Sequence, residues 1–289
     1  MVFHLPEGIT VREVLRRIVS ESAEDDVLGR AAQMAYYFLL AVFPFFLVLA
    51  TVLGFMADAG ATVLNQALAH IGQVAPPSAY DLVLKTVRST AAGAGADKLS
   101  FGIVGTVWAA SMAVSASIDT LNTAYEIDET RPWWRLQLLA IALTVVLGAF
   151  FTVALLLLSY GGQLLGFIAG QIGVREVWVA VWRIAQVPVS IGIVLFAFMI
   201  IYRYGPNLSD QGWGRTLPGS IVATIAWVLV SIGLRVYLHF FNTYSATYGS
   251  LGGAIILLLW FYLTAAAILI GGEVNSELEK AAAGARGSH

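Results

Sequence analysis

Residues 136–160 read LQLLAIALTVVLGAFFTVALLLLSY, twenty-five positions without a single charged side chain. As a helix this stretch is ~38 Å long, enough to cross the ~30 Å hydrocarbon core of a bilayer. Its apolar character is continuous, whereas a barrel strand would alternate over a shorter run. Five further stretches share this character, at 28–56, 99–121, 178–202, 218–241 and 251–272. The whole composition agrees with them. Of 289 residues, 58% are hydrophobic and only 12% charged, about half the share in a soluble domain. Mean hydropathy is +0.79. The expected fold class is an all-α integral membrane protein with six transmembrane helices, built as one membrane domain over residues 1–289.

The Lys and Arg residues orient it. Arg12, Arg16, Arg17, Arg30, Arg131, Arg135, Arg203, Arg215, Lys280 and Arg286 flank one side, and Lys85, Arg88, Lys98 and Arg175 the other. By the positive-inside rule both termini are expected in the cytoplasm. Trp133, Trp134, Trp178, Trp182 and Trp213 lie near span ends, where interfacial anchors belong. No cleavable signal peptide is visible, so the first span is expected to serve as the insertion signal.

Three segments lie outside the spans. Within residues 1–26, Thr10-Val11-Arg12-Glu13 is a capping box, followed by an apolar face of Val11, Val14, Leu15, Ile18 and Val19. This predicts a short cytoplasmic helix, either resting on the inner leaflet or docked on the protein's own cytoplasmic loops. Residues 57–98 are too long for a plain loop. Val63, Leu64, Ala67, Leu68 and Ile71 form one face, Pro76-Pro77 breaks it, and Ser78 with Asp81 caps a second helix. An external amphipathic helical hairpin between helices 1 and 2 is expected there. Residues 273–289 form a cytoplasmic tail, whose final Gly287-Ser288-His289 reads as an expression-vector remnant. The Gly-rich stretch 161–173 either extends the third helix or re-enters the membrane.

Charge at membrane depth costs ~2.5–3.5 kcal/mol per centred Arg or Asp, so such residues are functional candidates. Arg235 sits ~26 Å into the fifth helix and continues an i+4 row with Trp227, Ser231 and His239. Arg183 lies one turn inside the outer end of the fourth, followed by Gln186 and Pro188. One reading is a basic external pocket of Arg183 and Arg235, lined by Tyr237, His239 and Gln186, holding an anionic group through guanidinium forks. The other is internal salt bridging to Glu176, Asp58, Asp81 or Asp97, or snorkelling. Ser111, Ser115 and Asp119, continued by Asn122, form a polar row on the second helix, and Glu273 closes the sixth. A cation or proton site and a helix-packing seam both fit. Pro44 and Pro188 are expected to bend their helices. Gly249 and Gly253 permit close packing.

Other chemistries lack their parts. There are no cysteines, the four histidines are scattered, and no H-E-x-x-H, Walker loop, EF-hand or G-x-S-x-G elbow occurs. No basic aromatic surface suits nucleic acid. No cofactor, metal site or enzymatic activity is expected.

The later part of the chain carries Tyr202-Arg203-Tyr204-Gly205-Pro206-Asn207, Leu217-Pro218-Gly219-Ser220 with Trp227, and Tyr248-Gly249-Ser250-Leu251. Leu259-Trp260-Phe261-Tyr262 and Gly271-Gly272-Glu273-Val274-Asn275 complete the C-terminal part. Together with Ala35-Tyr36-Tyr37, Phe43-Pro44, Leu121-Asn122 and Ala124-Tyr125, they resemble the YihY/BrkB family of bacterial inner-membrane proteins, once labelled ribonuclease BN. The resemblance implies six helices with both termini inside, and roles in envelope integrity and lipid export rather than RNA cleavage. The expected function is translocation of an anionic lipid or amphiphile across the cytoplasmic membrane, without an ATPase of its own. Membrane lipids are the expected partners. The alternative is a non-transporting scaffold, with a homo-oligomer or an envelope protein as partner.

Overall fold

The computed structural model describes residues 11–54, 69, 80–81, 84–85, 96–170, 175–208, 211–240 and 250–287. Among them are seven helices and no strand: α1 (Val11–Glu24), α2 (Val27–Gly54), α3 (Ala96–Ala124), α4 (Trp133–Gly170), α5 (Arg175–Tyr204), α6 (Trp213–Phe240) and α7 (Ser250–Gly287). Four contain stretches long and apolar enough to cross a membrane: Trp133–Leu158, Val179–Tyr204, Trp213–Phe240 and Gly252–Ala282. The first and second expected spans fall on α2 and α3, helices of 28 and 29 residues. The external hairpin lies almost wholly outside the described residues.

Two helices run further than their composition suggested. α4 continues through Gly161 and Gly162 to Gly170, so the stretch up to that point extends the third helix. Both glycines lie against the indole of Trp182 on α5, and a β-carbon at Gly161 would overlap it. α7 likewise continues past Gly271 and Gly272 into the segment read as a tail, ending at Gly287. α2 and α5 remain helical through Pro44 and Pro188.

Each helix packs on its chain neighbours, α2 on α3, α3 on α4, and so on to α6 on α7; α7 then closes the ring against α2. The main core is correspondingly shared by Val27, Ala31 and Met34 of α2, Leu121 of α3, Phe198 and Tyr202 of α5, Ala223 of α6, and Ala265, Ala266, Ile268 and Leu269 of α7. Small residues on α7 let backbones approach closely, the packing that works where lipid offers no hydrophobic drive. The outward surface is apolar. Ile184 is 77% exposed, Phe240 74% and Leu229 64%. In water such a surface would drive aggregation; against acyl chains it is matched.

α1 packs on α7 and α2. Ile18 of its apolar face is buried within the chain.

Candidate functional site

Three chain reversals converge at one end of the bundle. α3 ends with Tyr125 N–H donating to Leu121 O and Glu126 in a left-handed conformation (φ 52°), a C-cap usually built on Gly or Asn. Beyond it, Arg131 grips Glu129 with two guanidinium nitrogens at 2.6 and 2.7 Å, and its Nη2 also donates to Gly205 O at 3.0 Å. Asn122 donates to Glu129 Oε2 at 2.7 Å and accepts from Asn207 N–H at 2.8 Å. Asn207 Nδ2 donates to Thr130 Oγ1 at 2.8 Å and to Asp128 O at 3.2 Å. The α3–α4 and α5–α6 connections are thereby stitched together. The Arg131 side chain is the main reason the Glu129 carboxyl is held below its ordinary value.

α6 and α7 meet beside this network. Pro218 lacks an N–H and its ring disturbs the turn around it. Gly219 N–H donates instead to Asn275 Oδ1 at 2.7 Å, and Asn275 Nδ2 donates to Thr216 O at 3.3 Å. A β-carbon at Gly219 would strike Gly271 O and the Asn275 amide; one at Gly271 would strike the Tyr202 hydroxyl and Gly219 O. Tyr202, fully buried, donates to Ile268 O at 2.6 Å. These glycines are required by close approach.

Inside this frame lies a polar cluster drawn from the whole length of the chain. Glu273, Asn275, Ser276 and Glu277 of α7 are buried, as are Tyr125 and Gln211. The Tyr125 hydroxyl has no hydrogen-bond partner among the described residues, nor have either amide atom of Gln211, Glu273 Oε1, Glu279 Oε1 and Asp25 Oδ2. Gln211, Asn275, Glu279 and Glu273 all act on Tyr125, whose hydroxyl is pushed up to about 12, chiefly by burial. Lys280 bridges Glu126 at 2.7 Å and Glu277 at 3.0 Å. Arg203 donates to Gln211 O and lies 4.9 Å from the Trp213 ring, which stacks on Phe196.

The family model of the virulence factor BrkB matches residues 18–289. The chain belongs to the BrkB family. The ribonuclease-like protein YfkH of Bacillus subtilis is 34% identical over 266 residues, spanning 92% of this chain and 95% of that protein. A UPF0761 membrane protein of Alteromonas mediterranea is 26% identical over 289 residues, covering 96% and 92%. Another, from Stenotrophomonas maltophilia, is 27% identical over 261 residues, covering 88% of this chain and 58% of that one. No solved structure matches. Much of what carries the BrkB resemblance in sequence meets at this end of the bundle: Leu121-Asn122, Tyr125, Tyr202, Asn207, Gly219 and Gly271 to Asn275.

The sequence-derived candidates distribute over two places. Ser111 is buried, donating to Trp108 O and accepting from Gln137 Nε2 at 2.7 Å, which is helix packing. Ser115 is half-buried and Asp119 exposed, so the row does not stay on one buried face. Asn122 and Glu273 belong to the cluster just described. The i+4 row on α6 also divides. Trp227 packs near Trp260, whose indole N–H donates to Ser231 at 3.1 Å, while Arg235 and His239 are exposed. Arg183 and Tyr237 are exposed too, Gln186 half-buried, and Gln186 O accepts from Ser190. Arg183 lies 21 residues before Tyr204, and Arg235 22 residues after Trp213. Both therefore stand ~32 Å from the end that carries the polar cluster, on antiparallel neighbouring helices.

Gln211 and Asp25 were not singled out from sequence, and Tyr125 only as part of the family resemblance, not as a site residue. Each sits near a helix end, where polar residues are ordinary, and no spacing links them.

Proposed function

We propose that this BrkB-family membrane protein translocates an anionic lipid or lipid-like amphiphile across the bacterial cytoplasmic membrane. In this reading six helices span the bilayer, both termini are cytoplasmic, and the polar cluster lies at the cytoplasmic end. Arg183 and Arg235 receive the head group at the outer interface, with Tyr237, His239 and Gln186 beside them.

One observation supports the reading above others. Arg183 and Arg235 stand exposed at matched height on neighbouring helices, each flanked by exposed apolar residues: Ile184 and Val187 beside the first, Ile232 and Val236 beside the second. A cation on a lipid-facing surface at the interface suits a phosphate above an acyl chain. The scaffold alternative draws no support from α1, whose Ile18 packs within the chain. Nothing in the residue chemistry supports RNA cleavage, and the ribonuclease-like name of YfkH is a statement about that protein.

Native mass spectrometry from mild detergent tests the proposal. Wild type is expected to retain an anionic lipid that the Arg183→Ala/Arg235→Ala double variant loses, and the same variant is expected to abolish lipid movement in proteoliposomes. Equal retention in both proteins, or none in either, refutes the head-group assignment.

A further inference from the structure

Two of the unpartnered buried atoms, Asp25 Oδ2 and Glu273 Oε1, belong to carboxyl groups that act directly on one another. Asp25 is aimed by its turn. Its N–H donates to Glu21 O at 2.8 Å, and its carbonyl accepts from Arg30 Nε at 2.9 Å. The next residue, Asp26, is left-handed (φ 50°) and its Oδ1 accepts from Gly29 N–H at 3.2 Å. This tight reversal between α1 and α2 carries Asp25 to the buried face of α7, where Glu273 is only 1% exposed.

Two ionised carboxylates offer acceptors and no donor. Among the described residues no donor bonds either orphaned oxygen. Glu21 on α1 faces the pair, and Glu126 after α3 and Glu277 on α7 stand behind it. Lys280, the nearby cation, is committed to Glu126 and Glu277. Arg215 of α6 pairs with Glu279 at 3.9 Å, and Arg30 of α2 is turned to a carbonyl. The buried Tyr125 hydroxyl lies by Gln211 and Asn275 and feels the Glu273 charge. Among the described residues no three carboxylates or histidines gather to hold a metal ion. A single proton satisfies both orphaned oxygens at once.

We propose that Asp25 and Glu273 form a proton-binding carboxyl pair that fastens the α1–α2 turn to α7. The proton resides on Glu273 Oε1 and is donated to Asp25 Oδ2. With it the pair carries one negative charge; without it, two charges face each other in a poorly solvated site and the fastening loosens. The ligand is the proton itself, so the inference stands or falls apart from lipid translocation.

Infrared difference spectroscopy of the full chain in bilayers tests this at about pH 7, where ordinary carboxyls with pKa ~4 are ionised. Wild type is expected to show a protonated-carboxyl C=O band equivalent to one group. Glu273→Gln and Asp25→Asn should each abolish it, since either amide supplies the missing donor, while Glu279→Gln should leave it intact. Amide hydrogen exchange in residues 11–24, corrected for intrinsic rate, provides a second readout. In wild type it should accelerate on alkalinisation by up to about tenfold per pH unit, and stay flat in Glu273→Gln. Absence of the band from wild type, its survival in Glu273→Gln, its loss in Glu279→Gln, or equal exchange profiles in both proteins overturns the proposal.

Discussion

Gly219→Ala and Gly233→Ala make the same chemical change on one helix, and the structure assigns them opposite outcomes. A β-carbon at Gly233 meets nothing within 4 Å. One at Gly219 overlaps the backbone oxygen of Gly271 and the Asn275 amide, neither of which is a flexible side-chain tip. α6 and α7 must separate locally, an overpacking cost of about 2 kcal/mol. Separation also breaks the Gly219 N–H to Asn275 bond and leaves a buried donor without a partner, about 2 kcal/mol more. The helix propensity of Ala over Gly returns about 1 kcal/mol at either site. The net expectation is a loss of about 3 kcal/mol for Gly219→Ala and a neutral or slightly stabilised Gly233→Ala. At about 2–4 °C per kcal/mol, Gly219→Ala should lower the apparent Tm by about 6–12 °C. Tryptophan fluorescence during heating in detergent, with monodispersity checked by size exclusion, reads both variants. If Gly219→Ala melts no earlier than Gly233→Ala, the close approach of α6 and α7 at this point is not what holds the site together.

Asn122→Ala should cost about 1–3 kcal/mol in the same assay, because the Asn207 N–H loses its acceptor and Glu129 a donor. Glu129 has its folded pKa held below the ordinary 4.5, so its contribution is full above that value and fades as pH falls through the lowered one. The acid limb of the wild-type stability profile should therefore flatten in Glu129→Gln, and an unchanged limb would exclude the Arg131 pairing as its cause. Tyr125 runs the other way: raised to about 12, its contribution is complete below pH 10 and is lost as pH rises toward 12. Tyr125→Phe should flatten the alkaline limb and remove one late-titrating phenolate from the ultraviolet difference spectrum; an unaltered phenolate titration would refute the burial.

The sequence analysis located the helices better than it located the site. Apolar runs at 136–160 and 178–202 reappear inside α4 and α5, because an apolar stretch in lipid has to satisfy its backbone internally and only a helix does so within one segment. The end of α7 was less legible. Gly271-Gly272 reads locally as a stop, yet the helix passes through, since those glycines meet Tyr202 and Gly219 and Leu121 lies over the second. Arg183 and Arg235 were visible as cations out of place, and their common height follows from counting residues along two antiparallel helices. Whether they face lipid or protein was not visible, because helical periodicity states which residues share a face and not what covers that face.

Composition and hydropathy alone determined that this chain belongs in a membrane and is helical, and its motifs alone indicated the BrkB family. Those are properties of local segments, set by the cost of burying charge and of leaving backbone groups unpaired. Only the tertiary structure decided that Asp25, Tyr125, Gln211 and Glu273 come together in one cluster with orphaned polar atoms. Such a site depends on how closely α6 approaches α7 and on where the α1–α2 turn lands. Both are settled by packing between segments distant in sequence, more than 200 residues apart for Asp25 and Glu273, and no pattern within either segment carries that information.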